Sequence, residues 1–182
     1  MTRRMDVSEY SEKWPFLYEE AAAQLRELLG TELVRSHHIG STSVPGLAAK
    51  PIIDILLEVR SIDGLDAYDA SMRDLGYEPK GEFGIPGRRY FPKGGDRRTH
   101  HVHAFALGDP HVKKHLAFRD YLRAHPQAVA EYASIKKAAS AAHATDPEGY
   151  MAFKHVFVEQ MVTDAVHWMD ELQPDRDQEE SS

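Results

Sequence analysis

Cysteine is absent from all 182 residues. That excludes disulfide staples, thiolate nucleophiles and cysteine-ligated zinc. Long apolar runs are missing too. The longest, Pro51–Leu57, contains Asp54 and falls well short of the roughly 20 residues that a membrane helix needs. Met1–Tyr10 holds Arg3 and Arg4 but no apolar stretch, so no secretory signal is expected. Net positive charge is also lacking: 22 basic against 29 acidic residues give a formal charge of −7. Such a balance disfavours nonspecific coating of nucleic acid. Together these absences predict a cytoplasmic protein with no membrane attachment.

What is present is a 42% hydrophobic share and eleven histidines. The first suffices for a proper core. The second, with no thiol available, makes imidazoles and ordinary carboxylates the metal-capable groups. The length fits one domain over residues 1–172, with a core at 10–108 and C-terminal helices at 109–172. Residues 173–182 read as an acidic, flexible tail.

Apolar spacing predicts an amphipathic helix over 14–29, ended by Gly30. Strands are expected at 32–39, 51–59, 88–91 and 99–107. A helix is expected at 63–75, and a hairpin-type loop at 92–96. Prolines 110, 126 and 147 open three further helices, at 111–124, 127–143 and 147–171. Asp146 is the expected cap of the last. The fold class that follows is α+β, close to α/β: a mixed sheet with flanking helices and a helical C-terminal part.

Four constellations could carry chemistry. Gly40-Ser41-Thr42 ends the first strand, where glycine lets an anion approach backbone N–H groups and the hydroxyls can donate. Asp54 sits inside an apolar strand, a costly place for a carboxylate without partners. Strand period puts Asp54, Leu56 and Glu58 on one face. His101 and His103 share another strand face, as a chelating or anion-gripping pair. Lys50, Arg88, Arg89, Lys93, Arg97 and Arg98 form a basic set in an acidic chain. Arg89 is the foremost anion candidate among them. Tyr150 and Lys154, four apart on the last helix, could close a pocket. His38 is expected to share a site with Asp54, while His37 alternates away. The remaining histidines read as surface or packing residues.

The run from His38 to Asp54, His-Ile-Gly-Ser-Thr-Ser-Val-Pro-Gly-Leu-Ala-Ala-Lys-Pro-Ile-Ile-Asp, resembles the hallmark of the GrpB family. The likeness continues through Gly87–Phe91, Thr99–His103, Phe118–Pro126, Tyr132 with Lys136, and Tyr150 with Lys154. It covers roughly residues 6–165. The resemblance implies a nucleotidyltransferase-like fold in bacterial proteins. In that superfamily a Gly-Ser turn holds nucleotide phosphates. A following Asp-x-Asp and a later acid hold two divalent ions. Gly40-Ser41 and Asp54 match that pattern. Leu56 stands where the second acid belongs, Glu58 lies one step too far along, and His101 and His103 occupy the later strand.

One Asp and two imidazoles imply a single-ion set of Asp54, His101 and His103, with Mg²⁺, Mn²⁺ or Zn²⁺ as the cofactor. Alternatively, protonated imidazoles and Arg89 grip an anion without metal. The expected partner is a nucleotide or another phosphorylated small molecule. Gly40, Ser41, Thr42, Lys50, Arg89 and Lys154 would bind it. Asp54, His101 and His103 would be catalytic, in metal-dependent nucleotidyl or phosphoryl transfer. Two alternatives stay open: a non-catalytic ligand-binding or regulatory protein on a degenerate transferase fold, and a metal-dependent hydrolase built on the His/Asp site.

Overall fold

The computed structural model describes residues 7–172. The expected acidic tail and most of the N-terminal stretch lie outside the described residues. Four strands form one mixed sheet in the order β1-β2-β4-β3. They are β1 (Leu33–Ile39), β2 (Ile53–Val59), β3 (Arg89–Lys93) and β4 (His100–Ala106). The central pair, β2 and β4, runs parallel. The outer pairs are antiparallel. The chain is α+β, as expected.

The flanking helices follow from the sequence cues. Helix α1 (Trp14–Leu29) starts with a proline in its first turn and ends at Gly30, whose φ of 53° suits a residue without Cβ. The expected 63–75 helix is broken into α2 (Ile62–Leu65), a 3₁₀ turn, and α3 (Asp69–Asp74). Gly64 interrupts helix propensity there, and its N–H is held by the Ser61 hydroxyl at 3.0 Å. Helices α4 (Pro110–Ala124), α5 (Pro126–Ala142) and α6 (Pro147–Leu172) each begin at a proline. The Asp146 carboxylate accepts the Gly149 N–H at 3.1 Å, the cap expected of it. Pro92 sits in β3, which is an edge strand and so tolerates a missing N–H. Strand β3 runs on to Lys93, so the hairpin loop starts later than the sequence suggests.

The sheet has two unlike faces. On one, Ile55, Leu57, Val59, Val102 and Ala104 pack under α1 through Trp14, Leu25 and Leu29. On the other, Ile39, Leu56 and Phe105 meet Val112 of α4. A separate cluster ties the C-terminal helices to the loop after β1 through Val44, Leu47, Leu122, Tyr132 and Met161. Strand β2 is therefore covered on both sides, and its one gap is at Asp54.

Leu56 is fully buried in the smaller cluster. Leu56→Asp is expected to destabilise the chain by about 3 kcal/mol or more, the scale of an unpaired buried charge. Urea unfolding monitored by circular dichroism checks this. Wild-type stability would mean that a second acid is tolerated there.

Candidate functional site

The site is built where β2 and β4 lie side by side. Their register sets Asp54 opposite His101 and Leu56 opposite His103. The antiparallel neighbour sets Ile39 opposite Asp54. Residues opposite one another share a face, so Asp54, His101 and His103 all look toward the C-terminal helices. His103 Nε2 lies 3.3 Å from Asp54 Oδ1, and His101 Nδ1 lies 3.5 Å from the same oxygen. These three side chains can bring one ligand atom each within 4.8 Å of one another.

Asp54 lies deep in the protein but keeps 27% of its side-chain surface open to the cleft. Burial opposes its ionisation, yet the hydrogen bonds from His101 and His103 outweigh burial. They hold the carboxyl well below the usual range. It is therefore a fixed negative charge. Gly40 makes room for it: a Cβ there would stand 2.5 Å from Asp54 Oδ2, and the φ of 71° also favours glycine. The sequence suggested that this glycine admits a ligand; the structure shows that it admits Asp54.

Arg88 fixes the tautomer of His103. Its Nη1 donates to His103 Nδ1 at 3.4 Å. Guanidinium has no acceptor, so Nδ1 must offer its lone pair, and Nε2 carries the hydrogen given to Asp54. Arg88 is itself held by the carbonyls of Glu82 and Phe83 at 3.1 and 2.9 Å, and lies over the Tyr90 ring.

Around this group opens a cleft of about 680 Å³. Its floor is Gly40, Ser41, Thr42 and Asp54, and its far wall is α4, α5 and α6. Four lysines line it: Lys50, Lys114, Lys136 and Lys154. Asp54 is the one carboxylate among its lining residues. The Lys50 ammonium lies 4.1 Å and that of Lys154 5.1 Å from the Tyr150 ring centre.

Several expected site residues are elsewhere or otherwise engaged. Arg89 points to the opposite side of the sheet, where Asp66 and Asp63 take its guanidinium at 2.7 and 3.2 Å. It does not reach the cleft, because strand alternation gives that face to Arg88. His38 also faces away from Asp54. It stacks on Tyr18 at 4.9 Å, and its Nε2 meets Thr42 Oγ1 at 2.9 Å. His37 takes the Asp54 face instead, paired with Glu58 at 2.7 Å. The expected alternation was inverted, since the register pairs Ile39, not His38, with Asp54. Thr42 is almost fully buried, and its hydroxyl is committed to His38.

The GrpB protein family profile matches residues 4–164. The UPF0157 protein YqkA of Bacillus subtilis is 47% identical over 166 residues. Glutamate-rich protein GrpB of Alkalihalophilus pseudofirmus is 30% identical over 160 residues, 85% of this chain and 92% of that protein. This chain belongs to the GrpB family. A crystal structure of the conserved protein GrpB from Enterococcus faecalis is 41% identical with a TM-score of 0.88, covering 90% of this chain and 99% of that one. The match to YqkA covers 91% of this chain but 48% of that protein, so the chain spans about half the length of that relative. A dephospho-CoA kinase of Mycolicibacterium paratuberculosis is 26% identical over 183 residues, 87% of this chain and 45% of that protein.

Within this GrpB-family cleft, sequence reasoning did not single out Lys114, Lys136, His111 or His115, and it ranked Arg88 below Arg89. Lys136 and Arg88 are buried in it or against it. His111 and His115 line it from α4, one helical turn apart, and that four-residue spacing was the available signal. No described helix is long and apolar enough to cross a membrane.

Two predictions follow from these placements. Burial pushes the His38 imidazole down to about 4, and burial followed by the neighbouring His103 does the same for His115. Both folded values lie below the ordinary 6.5, so the unfolded chain takes up these protons first. Their stabilisation is complete above about 6.5 and is lost as pH falls toward 4. The Tm is expected to drop across that window by differential scanning calorimetry, and His38→Gln with His115→Gln should flatten the drop. Separately, a metal bound at His103 Nε2 would need a proton on Nδ1, which Arg88 opposes by donating there. Arg88→Gln places an acceptor nearby and is expected to tighten Mn²⁺ or Zn²⁺ binding about tenfold in calorimetric titration. Unchanged or weaker binding would show that Arg88 does not oppose the ion.

Proposed function

We propose that the cleft binds a nucleotide or another phosphorylated small molecule. The observation that carries this is the charge of the lining: four lysines against one carboxylate in a protein of formal charge −7. Such local reversal suits a multiply charged anion. Gly40, Ser41 and Thr42 lie on the floor beside Asp54. Lys50 and Lys154 supply counter-charge beside the Tyr150 ring. The likeness to part of a dephospho-CoA kinase, a protein named for phosphoryl transfer, supports the same ligand class.

The donor set bears on the metal. A two-ion site of the Asp-x-Asp kind does not fit, because Leu56 is buried and Glu58 is bonded to His37. A single divalent ion fits Asp54, His101 and His103 by ligand type and spacing. Such an ion would act as a Lewis acid on a phosphoryl oxygen. The chain's own groups have clear parts. Asp54, held ionised, accepts hydrogen bonds and donates none. With no ion bound, His103 directs its Nε2 hydrogen to Asp54, held so by Arg88; an ion at Nε2 would displace that hydrogen. Metal-dependent nucleotidyl or phosphoryl transfer is the activity this arrangement supports best.

The buried Leu56 favours one second reading, a non-catalytic ligand-binding or regulatory protein. Asp54→Asn separates the two. In thermal-shift and calorimetric titrations with AMP, ADP and ATP, with and without Mn²⁺, the wild type is expected to bind. The variant should keep nucleotide affinity within about threefold but lose ion binding and any turnover. Wild-type binding without turnover under any nucleotide and metal tried would leave the non-catalytic reading standing. No binding of any phosphorylated ligand at millimolar concentration would sink both.

A further inference from the structure

Three lysines converge at the helical end of the cleft from three segments. Lys50 precedes β2, Lys136 lies on α5, and Lys154 lies on α6. Lys136 has a 3% exposed side chain, an unusual place for an ammonium. It donates to the Ala48 carbonyl at 3.3 Å and lies 4.9 Å from the Tyr132 ring centre. Tyr150, beneath Lys50 and Lys154, is fully buried, and its hydroxyl has no hydrogen-bond partner among the described residues.

Such crowding of cations is unfavourable by itself. Burial, followed by Lys154 and then Lys50, pushes the Lys136 ammonium down to about 7, against the pull of Asp54. Burial also lowers Lys154. The tyrosine rings recover part of this through cation–π attraction. An anion that meets all three ammoniums at once recovers more. The lining carries a formal excess of three positive charges, with histidines neutral. A single phosphate group brings at most about two negative charges and three acceptor oxygens. A second, linked phosphate supplies the remaining charge and enough oxygens for three ammoniums with three donors each.

We propose that Lys50, Lys136 and Lys154, with the Tyr150 hydroxyl as an added donor, form a subsite for a diphosphate group. The group is a linked pair of phosphates, whether free or at the end of an organic ligand. This rests on the reading of the cleft as a phosphate site and goes beyond it in naming the number of phosphates and the residues that hold them. Lys136 is the centre of the subsite. It faces Tyr132 on its own helix, Lys154 on α6, Lys50 and the Ala48 carbonyl from the loop before β2, and Asp54 on β2. An arriving diphosphate would restore its full charge.

The test is calorimetric titration of the full chain with inorganic phosphate and pyrophosphate, and with AMP and ADP, without metal at pH 7.5. Pyrophosphate is expected to bind at least tenfold more tightly than phosphate, and ADP at least tenfold more tightly than AMP. Lys136→Met and Lys154→Met should each remove most of that preference while phosphate affinity changes by less than about threefold. A preference seen with pyrophosphate but not with ADP would assign the subsite to the free anion. Equal affinity for one and two phosphates in the wild type, a result that needs no variant to fold, overturns the subsite but leaves the phosphate site standing. Binding of none of the four ligands overturns both.

Discussion

The ionised carboxylate of Asp54 in the central strand is the constraint around which the site is arranged. A charge there must be met on every side by groups that accept it. The parallel neighbour β4 meets it with His101 and His103. The turn just after the antiparallel neighbour β1 meets it with a glycine, because any Cβ at position 40 would collide with the carboxylate oxygen. Arg88 then fixes which nitrogen of His103 faces Asp54. Each of these residues is intelligible only once the acid is placed.

The surroundings of Asp54 separate this chain from a two-ion phosphoryl-transfer site. The next residue on its face, Leu56, plugs a small apolar cluster with Ile39, Phe105 and Val112. The next residue on that face, Glu58, is bonded to His37 at 2.7 Å. Among the residues lining the cleft, negative charge is thus limited to the Asp54 carboxylate, while four lysines line the same cleft. A site with two acids would hold two hard cations and need few lysines. With one acid, anionic ligand charge must be balanced by side chains, and the loop before β2 and helices α4, α5 and α6 supply them.

Much of the architecture was legible because its signals are local. Proline at each helix start, Gly30 after α1 and the apolar run of β2 all act within a few residues. The cluster of Asp54, His101 and His103 was legible because strand alternation fixes which side chains share a face. What failed was what depends on register. His38 and His37 exchanged faces, because the pairing sets Ile39 opposite Asp54. Arg88, just ahead of edge strand β3, and Arg89, its first residue, exchanged roles: Arg88 meets His103, while Asp63 and Asp66 claimed Arg89. Lys136 escaped notice because nothing local marks a lysine as buried. Its burial comes from α5 lying against the loop that ends at Lys50.

That loop is also what couples the two layers. Arg119 donates to the His38 carbonyl, Arg123 to the Ser43 carbonyl and Lys136 to the Ala48 carbonyl, at 3.3, 3.0 and 3.3 Å. Three helical cations therefore cap the backbone of the segment that also carries Gly40, Ser41 and Thr42. The apolar contacts of Val44 and Leu47 with Leu122, Tyr132 and Met161 bind the same segment to the same helices. A ligand resting between Asp54 and the lysines would touch both ends of this one connection. Its position would be set by the 38–50 segment rather than by the sheet or the helices separately. That accounts for why the sequence stretch with the most specific pattern in the chain is neither a strand nor a helix for most of its length.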